Sequence, residues 1–142
     1  MTQETRPKGT LPLPVPDEDT QPFWDYCRER ELRAQRCTAC GRLRHPPRPT
    51  CPQCGSTDVE WQLLSGRGKV FTYAISHQPI HPALEGRVPF TTLIVELDEG
   101  LRFTSNLVED SEPVQIGTPV EVVFERVTDE ITLPRFRVSA RR

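Results

Sequence analysis

Four cysteines in two matched pairs carry the clearest chemistry in this chain of 142 residues. They stand as Cys37-Thr-Ala-Cys40-Gly41 and Cys51-Pro-Gln-Cys54-Gly55. A CxxC turn aims two sulfurs at one centre, and two such turns facing each other surround a tetrahedral ion with thiolates about 2.3 Å away. Gly41 and Gly55 fall where the backbone must turn tightly just past each pair, where a Cβ would crowd it. Two disulfides, a redox CxxC or four unrelated cysteines are the competing readings; the spacing favours a metal. Zinc is the expected ion, with iron on the same four sulfurs as the alternative. A four-sulfur zinc site is closed, with no position left for water or substrate, so its expected role is structural.

The other reactive side chains do not assemble into a catalytic set. Cys27 has no nucleophile motif around it and reads as a small buried apolar residue in an aromatic context. The histidines are His45, His77 and His81. His77 and His81 flank a Gln-Pro-Ile turn, where they are either solvated or in contact with a ligand. Glu96, Asp98 and Glu99 read as a solvated turn rather than paired catalytic carboxylates. No catalytic residue is assigned.

The charge pattern is more informative. From Cys27 to Arg48 there are seven arginines (28, 30, 33, 36, 42, 44, 48) against two glutamates (29, 31), a local +5 on a chain of net charge −2. Arginine forks grip phosphates and carboxylates in bidentate fashion. The plain alternative is a solvated surface with ion pairs such as Arg28 with Glu31 or Glu29 with Arg33. Nucleic acid is disfavoured. From Trp61 onward there are nine basic and eleven acidic residues, and Phe71, Tyr73, Phe103 and Phe124 mostly fall at alternating positions that fit a core rather than a stacking platform.

The elements that must position these groups follow in order. Pro7, Pro12, Pro14 and Pro16 make residues 1–19 an extended, polyproline-like tail without a core of its own. Asp19 or Thr20 can cap a helix over about residues 20–30, with Pro22 in its first turn and Phe23, Tyr26 and Cys27 on one face. Leu32 to Arg36 alternates as a strand into the first cysteine pair. Pro46, Pro47 and Pro49 forbid a helix between the pairs. Val59, Trp61 and Leu63 alternate as a return strand, so residues 20–64 form a helix and a metal ribbon. Ser65-Gly66-Arg67-Gly68 marks a boundary, and five strand runs fill residues 65–142: Val70–Ser76 with Phe71, Tyr73 and Ile75 on one face, Thr91–Leu97, Leu101–Leu107, Val120–Val127, and Ile131–Ser139 broken at Pro134. Asp98-Glu99-Gly100 is a hairpin turn. Five short strands fit a small closed barrel of the OB type, with an open sheet as the alternative. The long loop from Gln78 to Pro89 is a candidate functional loop. No apolar run approaches 18 residues and Met1–Thr20 has no apolar signal segment, so a cytoplasmic protein without a membrane span is expected.

The order of helix, CTACG…CPQCG, GRGKVFTY, VELDEGLR, IGTPVEVVFE and LPRFR closely resembles the domain-of-unknown-function 35 family, from about Phe23 to Phe136. The resemblance implies a mainly β protein: a short N-terminal helix, a rubredoxin-like zinc ribbon and a five-stranded OB-fold barrel. It also implies a role as a small accessory subunit of a thiolase-like enzyme, in a hetero-oligomer of two-plus-two stoichiometry. That complex would make or cleave a carbon–carbon bond of an acyl-CoA by thiolysis, condensation or retro-aldol cleavage, and the nucleophile, acid and base would belong to the partner. On that reading Arg42, Arg44 and Arg48, with Trp24, His77 and His81, are the candidates for binding the partner or the CoA phosphates. The alternative is a free-standing module that binds nucleic acid or acyl-CoA.

Overall fold

A computed structural model describes residues 12–139. The part of the expected proline-rich tail before Pro12 lies outside the described residues. From Pro12 the chain runs without regular structure to a turn in which Asp17 and Thr20 bond reciprocally: Thr20 N–H donates to Asp17 Oδ1 at 2.9 Å, and Asp17 N–H donates to Thr20 Oγ1 at 3.0 Å. Helix α1 (Gln21–Arg28) follows. Thr20 occupies the cap position, but its hydroxyl is engaged backward with Asp17 and makes no bond into the helix. Pro22, in the first turn, has no N–H to be capped. At the other end Arg30 takes a left-handed φ of 63°. This lets Arg30 N–H reach Cys27 O at 2.9 Å and Glu31 N–H reach Tyr26 O at 3.0 Å, closing the helix with paired end bonds.

The ribbon is a three-stranded antiparallel sheet, ordered β2-β1-β3, made of β1 (Arg33–Cys37), β2 (Leu43–Arg44) and β3 (Val59–Leu63). The second sheet has the order β6-β5-β4-β7-β8, from β4 (Arg67–Ser76), β5 (Phe90–Leu97), β6 (Arg102–Asn106), β7 (Pro119–Arg126) and β8 (Thr132–Val138). Every ladder in it is antiparallel. A parallel bridge between Leu107 and Phe136, with Val108 N–H donating to Phe136 O at 2.9 Å, joins the residues just after β6 to β8. This nearly closes the sheet into the five-stranded barrel that the turn chemistry implied. The expected hairpin at Asp98–Gly100 is present, with Gly100 at φ 91°.

Two expectations about the barrel strands are corrected. Phe71 and Ile75 do not face the core: Phe71 is 39% and Ile75 50% exposed, while Val70 is buried. A bulge between Val70 and Thr72 resets the alternation, so Phe71 comes out under the guanidinium of Arg102, 3.7 Å from the ring centroid. Beyond Lys69, β4 pairs with β5 alone, and Ile75 at that end lacks a neighbour on the β7 side. Pro134 does not break the last strand. It sits inside β8, at the edge of the hydrogen-bonded sheet, where a missing N–H is tolerated. Its carbonyl accepts from Ser105 Oγ at 2.6 Å.

The apolar core is continuous across all three parts. Phe23 and Cys27 from α1, Leu32 and Ala34 from the ribbon, Leu64 from the connection, and Leu93, Val95, Phe103 and Phe136 from the barrel belong to one cluster. Gly68 lies where β4 pairs with β5 and β7 at once, opposite Leu97 and Val120. A Cβ there would meet the Glu96 carbonyl oxygen and lie 2.8 Å from Leu97 Cα, both backbone atoms that cannot swing aside. Gly68→Ala is therefore expected to destabilise the protein by about 1–3 kcal/mol, as overpacking does. Urea unfolding followed by far-UV circular dichroism checks this; an unchanged midpoint would contradict the close approach.

Candidate metal centre and junction cleft

Strand β1 delivers Cys37 to the first cysteine turn, where Gly41 N–H donates to Cys37 O at 2.7 Å and Gly41 holds φ 82°. The second turn repeats the geometry, with Gly55 N–H to Cys51 O at 2.9 Å and Gly55 at φ 81°. The four Sγ atoms lie within 4.8 Å of one another, with Cys37 to Cys54 at 3.6 Å and Cys40 to Cys51 at 3.7 Å. A regular tetrahedron of sulfurs about 2.3 Å from a central ion has edges of about 3.8 Å, so the donor set fits a four-sulfur metal. Backbone N–H groups of Cys54 and Gln53 lower the pKa of Cys51 to about 6, and those of Cys40 and Ala39 lower that of Cys37. The first cysteine of each turn is thus favoured as a thiolate, the ligating form, whereas Cys54, despite a backbone bond from Ser56, is pushed up to about 11 by the crowding of the other sulfurs. Cys37 and Cys51 are buried and Cys40 and Cys54 exposed. Four sulfurs complete the shell, and the ion would brace the ribbon rather than bind substrate. Cys27 is fully buried, and burial pushes its thiol up to about 12, which leaves it protonated and inert.

The segment between the two cysteine pairs does more than turn. It carries His45 into the space between Phe23 of α1, at 5.0 Å, and Phe103 of β6, stacked at 4.4 Å. Trp24 packs edge-on against Phe23 at 5.0 Å. Burial lowers the pKa of His45 to about 4, so the imidazole is neutral at physiological pH. These rings belong to the walls of a cleft of about 600 Å³ between α1, the ribbon segment His45–Pro47 and the barrel, which is also lined by Asn106, Arg135 and Arg87. Arg135 is bound up with Glu125 at 2.5 Å and Glu109 at 3.6 Å.

The structure divides the sequence-selected residues. Of the candidates for partner or CoA binding, Trp24 lines the cleft; Arg42, Arg44, Arg48, His77 and His81 do not. Arg42 is exposed, 3.5 Å from Gln53 Oε1, and Arg48 is exposed. Arg44 is only 5% exposed; its Nη2 donates to Arg48 O at 2.9 Å, while Nε and Nη1 have no partner among the described residues. The other ribbon arginines are engaged internally. Arg33 pairs with Glu31 at 2.7 Å and Arg36 with Glu60 at 2.9 Å. Arg28 pairs with Asp25 at 3.8 Å, and Arg30 donates to Phe124 O at 3.3 Å. The expected pairs Arg28–Glu31 and Glu29–Arg33 are thus replaced by Arg28–Asp25 and Arg33–Glu31. His77 is exposed, whereas His81 caps the turn Pro82–Leu84 by accepting from Ala83 N–H at 3.0 Å. The sequence reading placed Phe103 in the core, where it lies, but assigned neither Phe103, His45 nor Arg87 to a site. The only pointer to His45 was the following Pro46-Pro47, which fixes the path of the segment. No helix among the described residues is long and apolar enough to cross a membrane.

This architecture of helix, four-cysteine ribbon and OB barrel places the chain in a defined class. Residues 24–60 match the ChsH2 rubredoxin-like zinc ribbon domain, and residues 61–125 match the ChsH2 C-terminal OB-fold domain. The chain belongs to the DUF35 family. A DUF35 domain-containing scaffold protein of Methanocaldococcus jannaschii is 40% identical over 75% of this chain and 77% of its own length. A probable enoyl-CoA hydratase alpha subunit of Thermomonospora curvata is 41% identical over 94% of this chain, which spans only 42% of that relative's length. A benzoylsuccinyl-CoA thiolase subunit of Thauera aromatica is 31% identical over 69% of this chain and 66% of its own. Among solved structures, a chain of the Ltp2-ChsH2(DUF35) aldolase superposes with a TM-score of 0.79 at 40% identity, covering 89% of this chain and 98% of that one.

Two outcomes test the site. Cys51→Ser removes one of four thiolates, so metal content should fall well below one ion per chain by elemental analysis. Hydrogen exchange should speed up across β1 and β3 while Leu93–Leu97 stays protected; an unchanged metal content would contradict the four-sulfur assignment. The second concerns acid. The folded pKa of His45 is about 4, below the ordinary imidazole value of 6.5. The unfolded chain therefore binds the proton first, and the contribution of His45 to stability is full above about pH 6.5 and falls away toward pH 4. The whole span is worth roughly 3 kcal/mol. His45→Gln should flatten the loss of stability between pH 6.5 and 5 relative to wild type in urea melts, and parallel profiles would refute it.

Proposed function

We propose that this chain is a non-catalytic subunit that docks on a thiolase- or aldolase-type enzyme acting on acyl-CoA, and that it orders the partner's active-site entrance. The observation that carries the reading is the likeness to the aldolase chain, which extends over 98% of that chain. The makeup of this chain agrees with it. Its metal ligands form a closed set, and the described residues hold no nucleophile with a base beside it. Zinc is the resident ion in this reading, with iron the alternative. Thiolysis, condensation and retro-aldol cleavage all place the nucleophile, acid and base on the partner, so the reaction type is the partner's to decide. A cytoplasmic hetero-oligomer of two copies of each chain is the assembly proposed. Arg42 and Arg48 are the free cations of the ribbon surface and are placed at the partner or CoA-phosphate contact. Arg44 supports their loop from below.

Co-expression with a thiolase-like chain encoded beside this one provides the test. The two should co-purify through size exclusion, and acyl-CoA turnover should fall at least tenfold when this subunit is omitted. Separate elution together with undiminished turnover by the larger chain alone would overturn the proposal.

A further inference from the structure

The junction cleft has a chemistry of its own. Three kinds of group meet in its walls. The first is an aromatic side made by Trp24 and by His45, whose neutral imidazole behaves as a flat ring stacked on Phe103. The second is Arg87, which enters from the loop between β4 and β5 and has no side-chain partner among the described residues. Arg135, the other cation of the cleft, is already neutralised by Glu125 and Glu109. The third is Asn106, whose Nδ2 donates to Thr91 O and to Thr92 Oγ1, both at 3.3 Å. Its amide hydrogens are thus engaged, and the Oδ1 of this lining residue is left as an acceptor without a partner among the described residues.

A ligand that satisfies all three is a flat ring carrying an N–H donor, joined to an anionic group. The cleft volume of about 600 Å³ suits such a molecule, since small-molecule pockets span about 300–1,000 Å³. We propose that this cleft binds an adenine nucleotide: the base lies against Trp24 and His45 with its amino group toward Asn106, and a phosphate meets Arg87. The nucleotide is either free or the adenosine phosphate end of coenzyme A. The second case deepens the acyl-CoA reading above and rests on it. In that case the partner contact is what remains for the ribbon arginines Arg42 and Arg48.

Calorimetric titration of the full metal-bearing chain is the experiment, using ADP, adenosine 3′,5′-bisphosphate, coenzyme A, inosine diphosphate and pantetheine. ADP, the bisphosphate or coenzyme A should bind with a Kd below 1 mM. Pantetheine should not bind, and inosine diphosphate, which lacks the amino group, should bind at least fivefold more weakly than ADP. Coenzyme A and the bisphosphate binding at least tenfold tighter than ADP identifies the coenzyme as the source; equal affinities identify a free nucleotide. Arg87→Ala, in an exposed loop position, should weaken binding about tenfold, and Arg87→Lys should restore part of it. Trp24→Leu should weaken binding by a similar factor, with metal content and melting temperature recorded as folding controls. The proposal is overturned if no adenine compound binds below 1 mM, if pantetheine binds as well as coenzyme A, or if Arg87→Ala binds like wild type. None of these results bears on co-purification with a thiolase-like chain, so the two readings fail separately.

Discussion

His45 lies against both Phe23 and Phe103, and these contacts, with the direct packing of Phe23 on Phe103 at 6.1 Å and the shared apolar core, hold the helix, the ribbon and the barrel as one body. Each part is weak alone. A helix of eight residues is too short to persist in water without a face to bury. A ribbon of this size cannot bury enough apolar surface to fold without its ion. The barrel supplies the common surface, with Phe103 reaching outward to His45 and inward to Phe136, whose ring centroid lies 6.1 Å away. The thiolates matter to this arrangement indirectly. His45 stands on the segment whose two ends are fixed by Cys40 and Cys51, so whatever clamps the sulfurs also sets where the imidazole can sit. A histidine in that position carries a constraint a phenylalanine would not: it must stay neutral, because a charged ring between two phenyl groups would be desolvated without a counter-ion.

The same economy governs the arginines. Seven of them in a short stretch look like an anion-binding face. Most are held by partners within the chain: Arg33 lies over the Tyr26 ring at 4.8 Å and bonds Trp61 O, Arg36 reaches across to Glu60, and Arg30 ties the helix end to β7. Arg44 is the costly one, a guanidinium with two unpartnered nitrogen atoms inside the protein. Its bond to Arg48 O, and that of Arg48 N–H to Gln35 Oε1 at 2.8 Å, stitch the proline-rich segment to β1. A basic run can therefore be a set of fastenings, and what remains for an outside anion is smaller than the charge count implies.

The metal turns, the ribbon strands, the Asp98–Gly100 hairpin and the five barrel strands were legible in the sequence, because each rests on local chemistry: cysteine spacing, a left-handed glycine, alternation of period two. The errors arose where a neighbour in space overrides the local pattern. Phe71 alternates correctly on paper, but a bulge that no sequence rule marks turns it outward. Pro134 reads as a break, yet the edge of the sheet accepts it. The cleft was invisible for the same reason. Trp24, His45, Phe103 and Arg87 come from four separate segments, and nothing in their spacing says that they share one space.

Strongly displaced titration is often a mark of catalysis, and the described residues offer two such groups outside the metal turns. Cys27 and His45 are both shifted by burial alone, with no charged neighbour among the causes. That distinction decides their role. A nucleophilic cysteine needs its pKa lowered, and that of Cys27 goes the other way. A general base works best with a pKa near the operating pH, and an imidazole near 4 accepts a proton too weakly to serve. In both cases the displacement measures how well a side chain is packed, not how ready it is to react. The groups left unengaged in the cleft are of another kind: the Arg87 guanidinium, an amide oxygen on Asn106 and the side of an aromatic stack. Groups of this kind can hold a molecule without transforming it, which agrees with the accessory role proposed above.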